Sequence, residues 1–152
     1  MTATLRTQAR LKLPRTAKRD VRSQFAALCW RRKGKGIEVC LVTTRRNGNW
    51  IIPKGWPMHN ATPAGAAAVE AWEEAGLRGT AGETCLGVFT YLKRAGREDL
   101  TVAVMVYAIE VTEEAEDWPE RRQRKRKWMS PKKASKRVGP PGLKRLIARF
   151  AP

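Results

Sequence analysis

The sequence has few acidic residues overall and, in one window, no basic residues at all. Its 152 residues include 14 Asp and Glu against 31 Lys and Arg, which gives a formal net charge of +17. Residues 121–152 carry thirteen Lys or Arg and no acidic residue, whereas no Lys or Arg lies between Lys54 and Arg78. The excess of positive charge predicts a polyanionic partner, and charge alone leaves open nucleic acid, a membrane surface or a heavily phosphorylated small molecule.

Long apolar runs are also missing, and this absence argues against a membrane span and a signal peptide. No run approaches the roughly 18 apolar residues of a membrane span. The first residues lack the apolar stretch of a signal peptide, so we expect a cytoplasmic location and no membrane span. The length supports one hydrophobic core. We therefore expect a basic flexible tail over residues 1–20 and a single domain over residues 21–152, with a monomer favoured.

Cysteine is scarce, which limits the structural roles that thiols can take. The three cysteines, at positions 29, 40 and 85, show no paired metal-ligand spacing. Each lies in an apolar, strand-like run. We expect buried free thiols and neither a disulfide nor a zinc site.

The apolar patterns predict an α+β fold. Strands are expected at residues 24–31, 37–44, 50–53, 84–93 and 100–111, with turns rich in Gly and Asn between several of them. A helix should begin after Thr62, with Pro63 at its first position, and end at Gly76. Two short helices are expected at 131–138, with Ser130 as the cap, and at 142–150. The helices are too few for a doubly wound sheet, so we predict helices that flank a mixed sheet.

Three glutamates share one face of the first predicted helix. At 100° per residue, Glu70, Glu73 and Glu74 fall within an arc of about 100°, with no basic residue at i±3 or i±4 inside the helix. Such carboxylates repel one another unless a cation lies between them, and hard oxygen ligands suit Mg²⁺ or Mn²⁺. The alternative is an ordinary solvated Glu-rich face. The opposite face, with Ala71 and Trp72, is expected to pack on the sheet.

The stretch from Gly55 to Leu77 resembles the Nudix box, G-x5-E-x7-R-E-U-x-E-E-x-G-U, where U is a bulky apolar residue. The positions that match are Gly55, Glu70, Glu73, Glu74, Gly76 and Leu77, with Ala71 as a small residue at the first U. Two positions depart: Ala61 replaces the first Glu, and Val69 replaces the Arg. Because the loss of both leaves no orphan charge, our hypothesis is that the box is degenerate in its scaffold and intact in its chemistry.

Within that superfamily, residues 22–138 resemble the diphosphoinositol polyphosphate phosphohydrolases. The segments that carry this resemblance include FAALCWRR, NGNWIIPKG and VTEEAEDWPERRQRKRKWMSPKKA. It implies a Nudix-like α/β/α sandwich and a Mg²⁺- or Mn²⁺-dependent pyrophosphohydrolase that cleaves a phosphoanhydride bond in a highly phosphorylated small molecule. Two alternatives stay open. PKGWP departs from the PGGG-like loop of that family, and diadenosine polyphosphate hydrolases also carry a PKG turn. A weakened Nudix domain could instead bind RNA or another polyanion through its basic termini.

The resemblance also implies roles for individual residues. Glu70 and Glu74 would be the main metal ligands and the candidates for the catalytic base, with Glu73 as a ligand directly or through water. Trp56 is a candidate for stacking on a base, with loop packing as the alternative, and Trp50, Trp72 and Trp128 are expected in the core. Substrate phosphates would contact residues at strand ends and in loops: Arg31, Arg45, Arg46, Lys54, Gly55, Lys93, Arg94, Arg97, Arg124, Lys125 and Arg126.

Overall fold

A computed structural model of the protein describes residues 8–12, 22–96 and 98–152. These residues form one sheet of eight strands and three helices. In chain order the elements are β1 (Ser23–Lys33), β2 (Gly36–Thr43), β3 (Trp50–Ile51), β4 (Lys54–Gly55), α1 (Pro63–Ala75), β5 (Leu77–Ala81), β6 (Gly87–Ala95), β7 (Glu98–Glu114), β8 (Arg126–Met129), α2 (Pro131–Arg137) and α3 (Pro141–Arg149).

The sheet combines parallel and antiparallel pairs, as predicted. Strand β1 runs parallel to β7, in register from Ser23↔Ala103 to Trp30↔Glu110. The other edge of β7 pairs antiparallel with β5 and β6, and β2 pairs antiparallel with β1 and with β8. This mixed sheet confirms the predicted α+β class.

The short strands β3 and β4 lie where β1 and β2 diverge. The β1–β2 pairing covers the hairpin end, from Lys33↔Gly36 to Trp30↔Val39. Further along, β3 pairs with the end of β2, and β4 pairs with the start of β1 at Phe25 and Ala26. The PKG turn, which connects β3 and β4, therefore lies at the split between β1 and β2. The backbone of this turn can approach a ligand there.

Helices cover the sheet and make the core. Residues 24–30 of β1 are all buried, which requires cover on both faces of that strand. Helix α1 packs against β1, β4 and β5 and contributes Ala67, Ala71 and Ala75, whose small side chains are fully buried. Helices α2 and α3 pack on each other and against β2 and β6. The arrangement is the predicted α/β/α sandwich.

Helix α1 begins and ends where the sequence predicts. The Thr62 side chain accepts a hydrogen bond from the Gly65 N–H, and Gly76 adopts the left-handed conformation at φ 66°. Each of the last four helix carbonyls has a partner. The pairs are Trp72 O with the Gly76 N–H (2.9 Å), Glu73 O with the Glu120 N–H (3.0 Å), Glu74 O with Trp118 Nε1 (3.1 Å) and Ala75 O with Arg126 Nη1 (2.7 Å). The segment between β7 and β8, together with the first residue of β8, thus holds the C-terminal end of α1.

Several local expectations were wrong or incomplete. Strands β4, β5 and β8 were not predicted, because short or strongly basic runs carry no period that identifies a strand. Cys29 and Cys40 are buried as expected, but Cys85 is exposed. The Trp72 ring is only half-buried, with the Arg78 guanidinium 3.8 Å from its centre, so it is not a core residue.

Part of the predicted N-terminal tail contacts the domain. Residues 8–12 are described, and the rest of 1–20 lies outside the described residues. Leu11 pairs through its backbone with Asn60 and Ala61, at 2.8 Å in each hydrogen bond. Gln8 accepts a hydrogen bond from the Ala64 N–H at 3.2 Å. These contacts hold the loop that precedes α1.

None of the helices in the described ranges is long and apolar enough to cross a bilayer.

Candidate metal and phosphate site

An open cleft of about 1490 Å³ lies beside α1, at the split between β1 and β2. It brings together Gly55 and the three glutamates of α1 with most of the cations predicted to contact phosphate. The cations that line it are Arg45, Arg46, Lys54, Lys93, Arg94 and Arg124. Charged residues as far apart in the sequence as Arg45 and Arg124, which are separated by 79 positions, therefore face one cleft.

Gly55 is in contact with the Glu70 carboxyl group. A Cβ atom at position 55 would overlap the carboxyl oxygens of Glu70. The β4 backbone can approach this carboxyl group only because residue 55 has no side chain. Gly55 therefore shapes the pocket in which Glu70 sits.

The Glu70 carboxyl group carries a strongly raised pKa. Its pKa is raised from 4.5 to about 8, first by burial and then by the nearby charges of Glu74, Glu73 and Glu120, with Arg124 acting in the opposite direction. The repulsion expected from three glutamates on one helix face is thus present. A bound cation would relieve it.

Glu74 is the most deeply buried of the three glutamates, with only 5% of the residue exposed. Burial raises its pKa to about 7, and the charges of Arg124 and Lys54 act in the opposite direction. Arg124 Nη2 lies 3.2 Å from Glu74 Oε1. Glu74 is therefore a buried acid whose ionised form depends on a cation from another part of the chain.

Two lysines of the cleft lie over aromatic rings. Lys54 Nζ is 4.8 Å from the centre of the Tyr91 ring, and Lys93 Nζ is 4.7 Å from that of Trp56. Tyr91 donates a 2.6 Å hydrogen bond to Gln24, and burial raises its pKa to about 12. Burial also lowers the pKa of Lys54. The cleft thus has aromatic surface as well as charge.

Three of the predicted phosphate contacts that the structure describes do not line this cleft: Arg31, Lys125 and Arg126. Arg31 pairs with Glu38 at 2.9 Å and with Glu114 at 3.2 Å. Arg126 donates to the Ala75 and Ala115 carbonyls and pairs with Glu114. Lys125 is exposed elsewhere, and Arg97 lies outside the described residues. Because Arg31 and Arg126 both pair with Glu114 and do not line the cleft, we leave them out of the proposed site.

Sequence reasoning missed Glu120, a fourth carboxylate that lines the cleft. It pairs with Arg124 at 3.2 Å and with Arg45 at 3.4 Å. The only signal was the acidic run at residues 113–120, and nothing in its spacing tells which glutamate faces inward. His59, which is exposed, does not line the cleft.

The donor set of the cleft fits a hard divalent cation. Carboxylate oxygens are the ligands that Mg²⁺ and Mn²⁺ prefer, and Gly55 leaves open backbone beside Glu70. Among the described residues, no three acidic, histidine or cysteine side chains are gathered closely enough to hold a metal as they stand. Glu70, Glu73 and Glu74 line the same cleft and carry the oxygen donors that such an ion requires.

The chain is similar to several known proteins. Residues 21–150 match a family model described as the NUDIX domain. Nudix hydrolase 12, mitochondrial, of Arabidopsis thaliana is 37% identical over 64% of this chain and 50% of its own length. Diphosphoinositol polyphosphate phosphohydrolase 2 of Rattus norvegicus is 34% identical over 76% of this chain and 62% of its own length. The chain thus spans one half to about two thirds of these relatives.

Solved structures share the fold at low sequence identity. An Ap4A hydrolase binary complex from C. elegans has a TM-score of 0.64 at 21% identity, over 86% of this chain and 95% of that one. The NUDIX domain of Shewanella oneidensis NrtR, complexed with ADP ribose, has a TM-score of 0.64 at 14% identity, over 90% and 91%. Both support the fold and the sandwich architecture.

Proposed function

The chain belongs to the Nudix family, and from that premise we propose that it is a metal-dependent pyrophosphohydrolase. It cleaves a phosphoanhydride bond in a highly phosphorylated small molecule such as a diphosphoinositol polyphosphate. The observation that carries this proposal is the meeting of the three α1 glutamates with six Lys and Arg side chains in one cleft. Relatives that are named for diphosphoinositol polyphosphates, at 33–34% identity, support the substrate class.

Glu70 and Glu74 would hold Mg²⁺ or Mn²⁺, with Glu73 as a third ligand directly or through water. The ion, when bound, neutralises charge on the phosphoanhydride oxygens and lowers the pKa of a bound water. Glu70 or Glu74 is also the proposed general base. A bound cation would lower the raised pKa of both carboxyl groups and so favour the ionised form, which can accept a proton.

The exposed cations of the cleft would bind the phosphates that are not cleaved. Arg45 and Arg46 lie in the β2–β3 loop, and Lys93 and Arg94 lie near the end of β6. Guanidinium and ammonium groups on such positions can turn toward a dense cluster of phosphates. Lys54 is close enough to Glu74 and to Lys93 to interact with both charges, and we propose that it contacts the phosphates beside the bond that is cleaved. Gly55 would contribute by allowing the Glu70 carboxyl group to lie against the β4 backbone.

Hydrolysis of diadenosine polyphosphates is the second candidate, and the aromatic surface of the cleft favours it. Trp56 and Tyr91 line the cleft beneath Lys93 and Lys54. If phosphates drew these lysines away, the two rings would be free to stack on a nucleobase. An inositol polyphosphate has no aromatic group to use such a surface.

The proposal extends to the setting of the activity. We place it in the cytoplasm and in a monomer, with the catalytic domain at residues 21–152 and a basic tail at residues 1–20. The Arabidopsis thaliana relative is named as a mitochondrial protein. A non-enzymatic rival role, binding of RNA through the basic termini, predicts affinity that falls steeply with salt and that does not depend on Glu74.

A hydrolysis screen tests the proposal. Wild type and Glu74→Gln would be assayed with Mg²⁺ and with Mn²⁺ on inositol pyrophosphates, dinucleoside polyphosphates and nucleoside triphosphates. We expect metal-dependent turnover that falls at least about 100-fold in Glu74→Gln. Glu83→Gln, which changes an exposed glutamate that does not line the cleft, is the control and should keep wild-type rates. No turnover on any of these substrates would contradict the enzymatic reading.

A further inference from the structure

Arg124 differs from the other arginines of the cleft in how deeply it is buried. Its side chain is 9% exposed, whereas that of Arg45 is 62% exposed. Its Nε lies out of reach of solvent and has no acceptor among the described residues. A guanidinium in this position has little surface left to offer to a substrate. Its contacts within the protein are therefore the guide to its role.

The guanidinium of Arg124 joins three separate elements. Nη1 donates a 3.0 Å hydrogen bond to the Thr43 carbonyl at the end of β2. Nη2 lies 3.2 Å from Glu74 Oε1 in α1 and 3.2 Å from Glu120 Oε1, in the segment between β7 and β8. We infer that Arg124 is a positioning residue that holds Glu74 in its metal-binding orientation, and not an anchor for substrate phosphates. This inference rests on the proposed metal site.

The backbone around Arg124 is fixed from the same side. The Thr43 N–H donates to the Lys125 carbonyl at 3.1 Å, and the Lys125 N–H donates to Thr43 Oγ1 at 2.9 Å. Thr43 is itself buried. The end of β2 thus forms hydrogen bonds with both the backbone of this segment and the Arg124 guanidinium. These bonds fix the position of the positive charge beside Glu74.

Glu120 makes the outer part of the same network. It lies between Arg124 and Arg45, and its N–H donates to the Glu73 carbonyl at 3.0 Å. Charges alternate in sign along the series Arg45, Glu120, Arg124 and Glu74. Removing Arg124 would leave two carboxylates facing each other with no cation between them, which favours protonation or rotation of Glu74.

The position at which the Nudix box has its arginine cannot supply this charge. Val69 occupies it and is 37% exposed. Among the described residues, Arg124 is the only cation within 4.0 Å of a carboxylate of α1. Its contact is with Glu74 Oε1, and Glu74 Oε2 has no ion pair in the same part of the chain. The Lys54 backbone N–H also donates a hydrogen bond to the Glu74 carboxyl group, so Arg124 acts together with β4 in holding this side chain.

The test separates metal binding from substrate binding. Mn²⁺ affinity of the full chain would be measured by titration calorimetry in the absence of substrate, and KM and kcat would be measured at saturating Mn²⁺. For Arg124→Gln we expect Mn²⁺ affinity to fall about 10- to 100-fold, as for other residues that hold a metal ligand, with a change in substrate KM of less than about threefold. Arg124→Lys keeps the positive charge but lacks the planar guanidinium with its several N–H donors. It should therefore recover part of the Mn²⁺ affinity.

Arg46→Gln is the matched control, because Arg46 is an exposed arginine of the same cleft and has no ion pair among the described residues. It should raise KM and leave Mn²⁺ affinity unchanged. Circular dichroism checks the fold of each variant. If Arg124→Gln does not fold, Glu120→Gln loosens the same network from its more exposed end, and a several-fold loss of Mn²⁺ affinity is expected there.

The outcomes distinguish this inference from the proposed function. A higher KM with unchanged Mn²⁺ affinity in Arg124→Gln would overturn it and make Arg124 a substrate anchor. A wild type that binds no Mn²⁺ would also overturn it. In a third outcome, the wild type hydrolyses none of the substrates, but Arg124→Gln binds Mn²⁺ more weakly than the wild type does. That outcome would support the positioning role and contradict the proposed function.

Discussion

The two walls of the cleft are built in different ways. The carboxylate wall, formed by Gly55, Glu70, Glu73 and Glu74, lies on a strand and a helix, and the Glu74 side chain is 7% exposed. The cationic wall, formed by Arg45, Arg46, Lys93 and Arg94, lies in a loop and near a strand end, and the Arg45 side chain is 62% exposed. Metal ligands need accurate placement, whereas flexible cations can adjust to phosphates. The difference indicates which wall carries the chemistry and which carries the affinity.

The largest effect should come from breaking the carboxylate wall at Gly55. In Gly55→Ala the new Cβ would overlap the Glu70 carboxyl group, so Glu70 must leave its position. We expect Mn²⁺ affinity and kcat/KM to fall by about 100-fold or more, because a metal ligand is displaced. Gly139→Ala is the control, because a Cβ there meets no atom within 4 Å. Wild-type kcat/KM in Gly55→Ala would show that the contact with Glu70 is not needed.

The carboxylate wall should also make the metal-free protein less stable as the pH rises. The pKa of Glu70 is raised from 4.5 to about 8 in the folded protein, so its proton stabilises the folded state fully below pH 4.5. That stabilisation is lost as the pH rises to about 8. We expect the Tm measured in EDTA to fall by several degrees between pH 5 and pH 8, and to fall less in Glu70→Gln. Equal slopes for the two proteins would contradict a raised pKa at Glu70.

A smaller effect is expected at the support of the carboxylate wall. Trp118→Phe keeps an aromatic ring against Gly76 but removes the Nε1–H that donates to the Glu74 carbonyl at 3.1 Å. We expect the free energy of unfolding to fall by roughly 1 kcal/mol, the usual cost of one such hydrogen bond. Denaturant unfolding measures this change. An equal loss in Trp118→Leu and Trp118→Phe would show that the ring contributes little and the N–H contributes most.

The smallest effect should come from the cationic wall. Arg94 is exposed and is one of several cations that could contact the same phosphates. We expect Arg94→Gln to raise KM about two- to fivefold and to leave kcat within about twofold, which is the pattern of lost ground-state binding. Steady-state kinetics at saturating metal provides the measurement. A fall in kcat with constant KM would place Arg94 in the chemistry and weaken the contrast between the walls.

The carboxylate wall was predicted from the sequence because its signals are local. Thr62, Pro63 and Gly76 mark the two ends of α1, and the spacing of the glutamates puts them on one face of it. The mixed sheet followed from the order of the predicted elements. In each case the decisive residues lie within a few positions of one another, which is the range over which pattern and propensity act.

The remainder of the site depends on contacts between distant parts of the chain. Arg31 and Arg45 both lie near strand ends, but only Arg45 is at the end of β2 that borders the cleft. Arg124 and Arg126 are two residues apart, and one meets Glu74 while the other holds the end of α1. Glu120 could not be distinguished from its acidic neighbours. No spacing rule assigns such roles, because strand pairing over more than 80 positions decides them.

Residues of the β7–β8 segment and of β8 cap the C-terminal end of α1, and this affects how the site forms. The Glu73, Glu74 and Ala75 carbonyls receive their hydrogen bonds from Glu120, Trp118 and Arg126. During synthesis these helix residues leave the ribosome 44 to 51 residues before their partners do. During synthesis from the N-terminus, the last turn of α1 therefore lacks these hydrogen-bond partners until the C-terminal part of the chain is made. The site is thus completed late in folding.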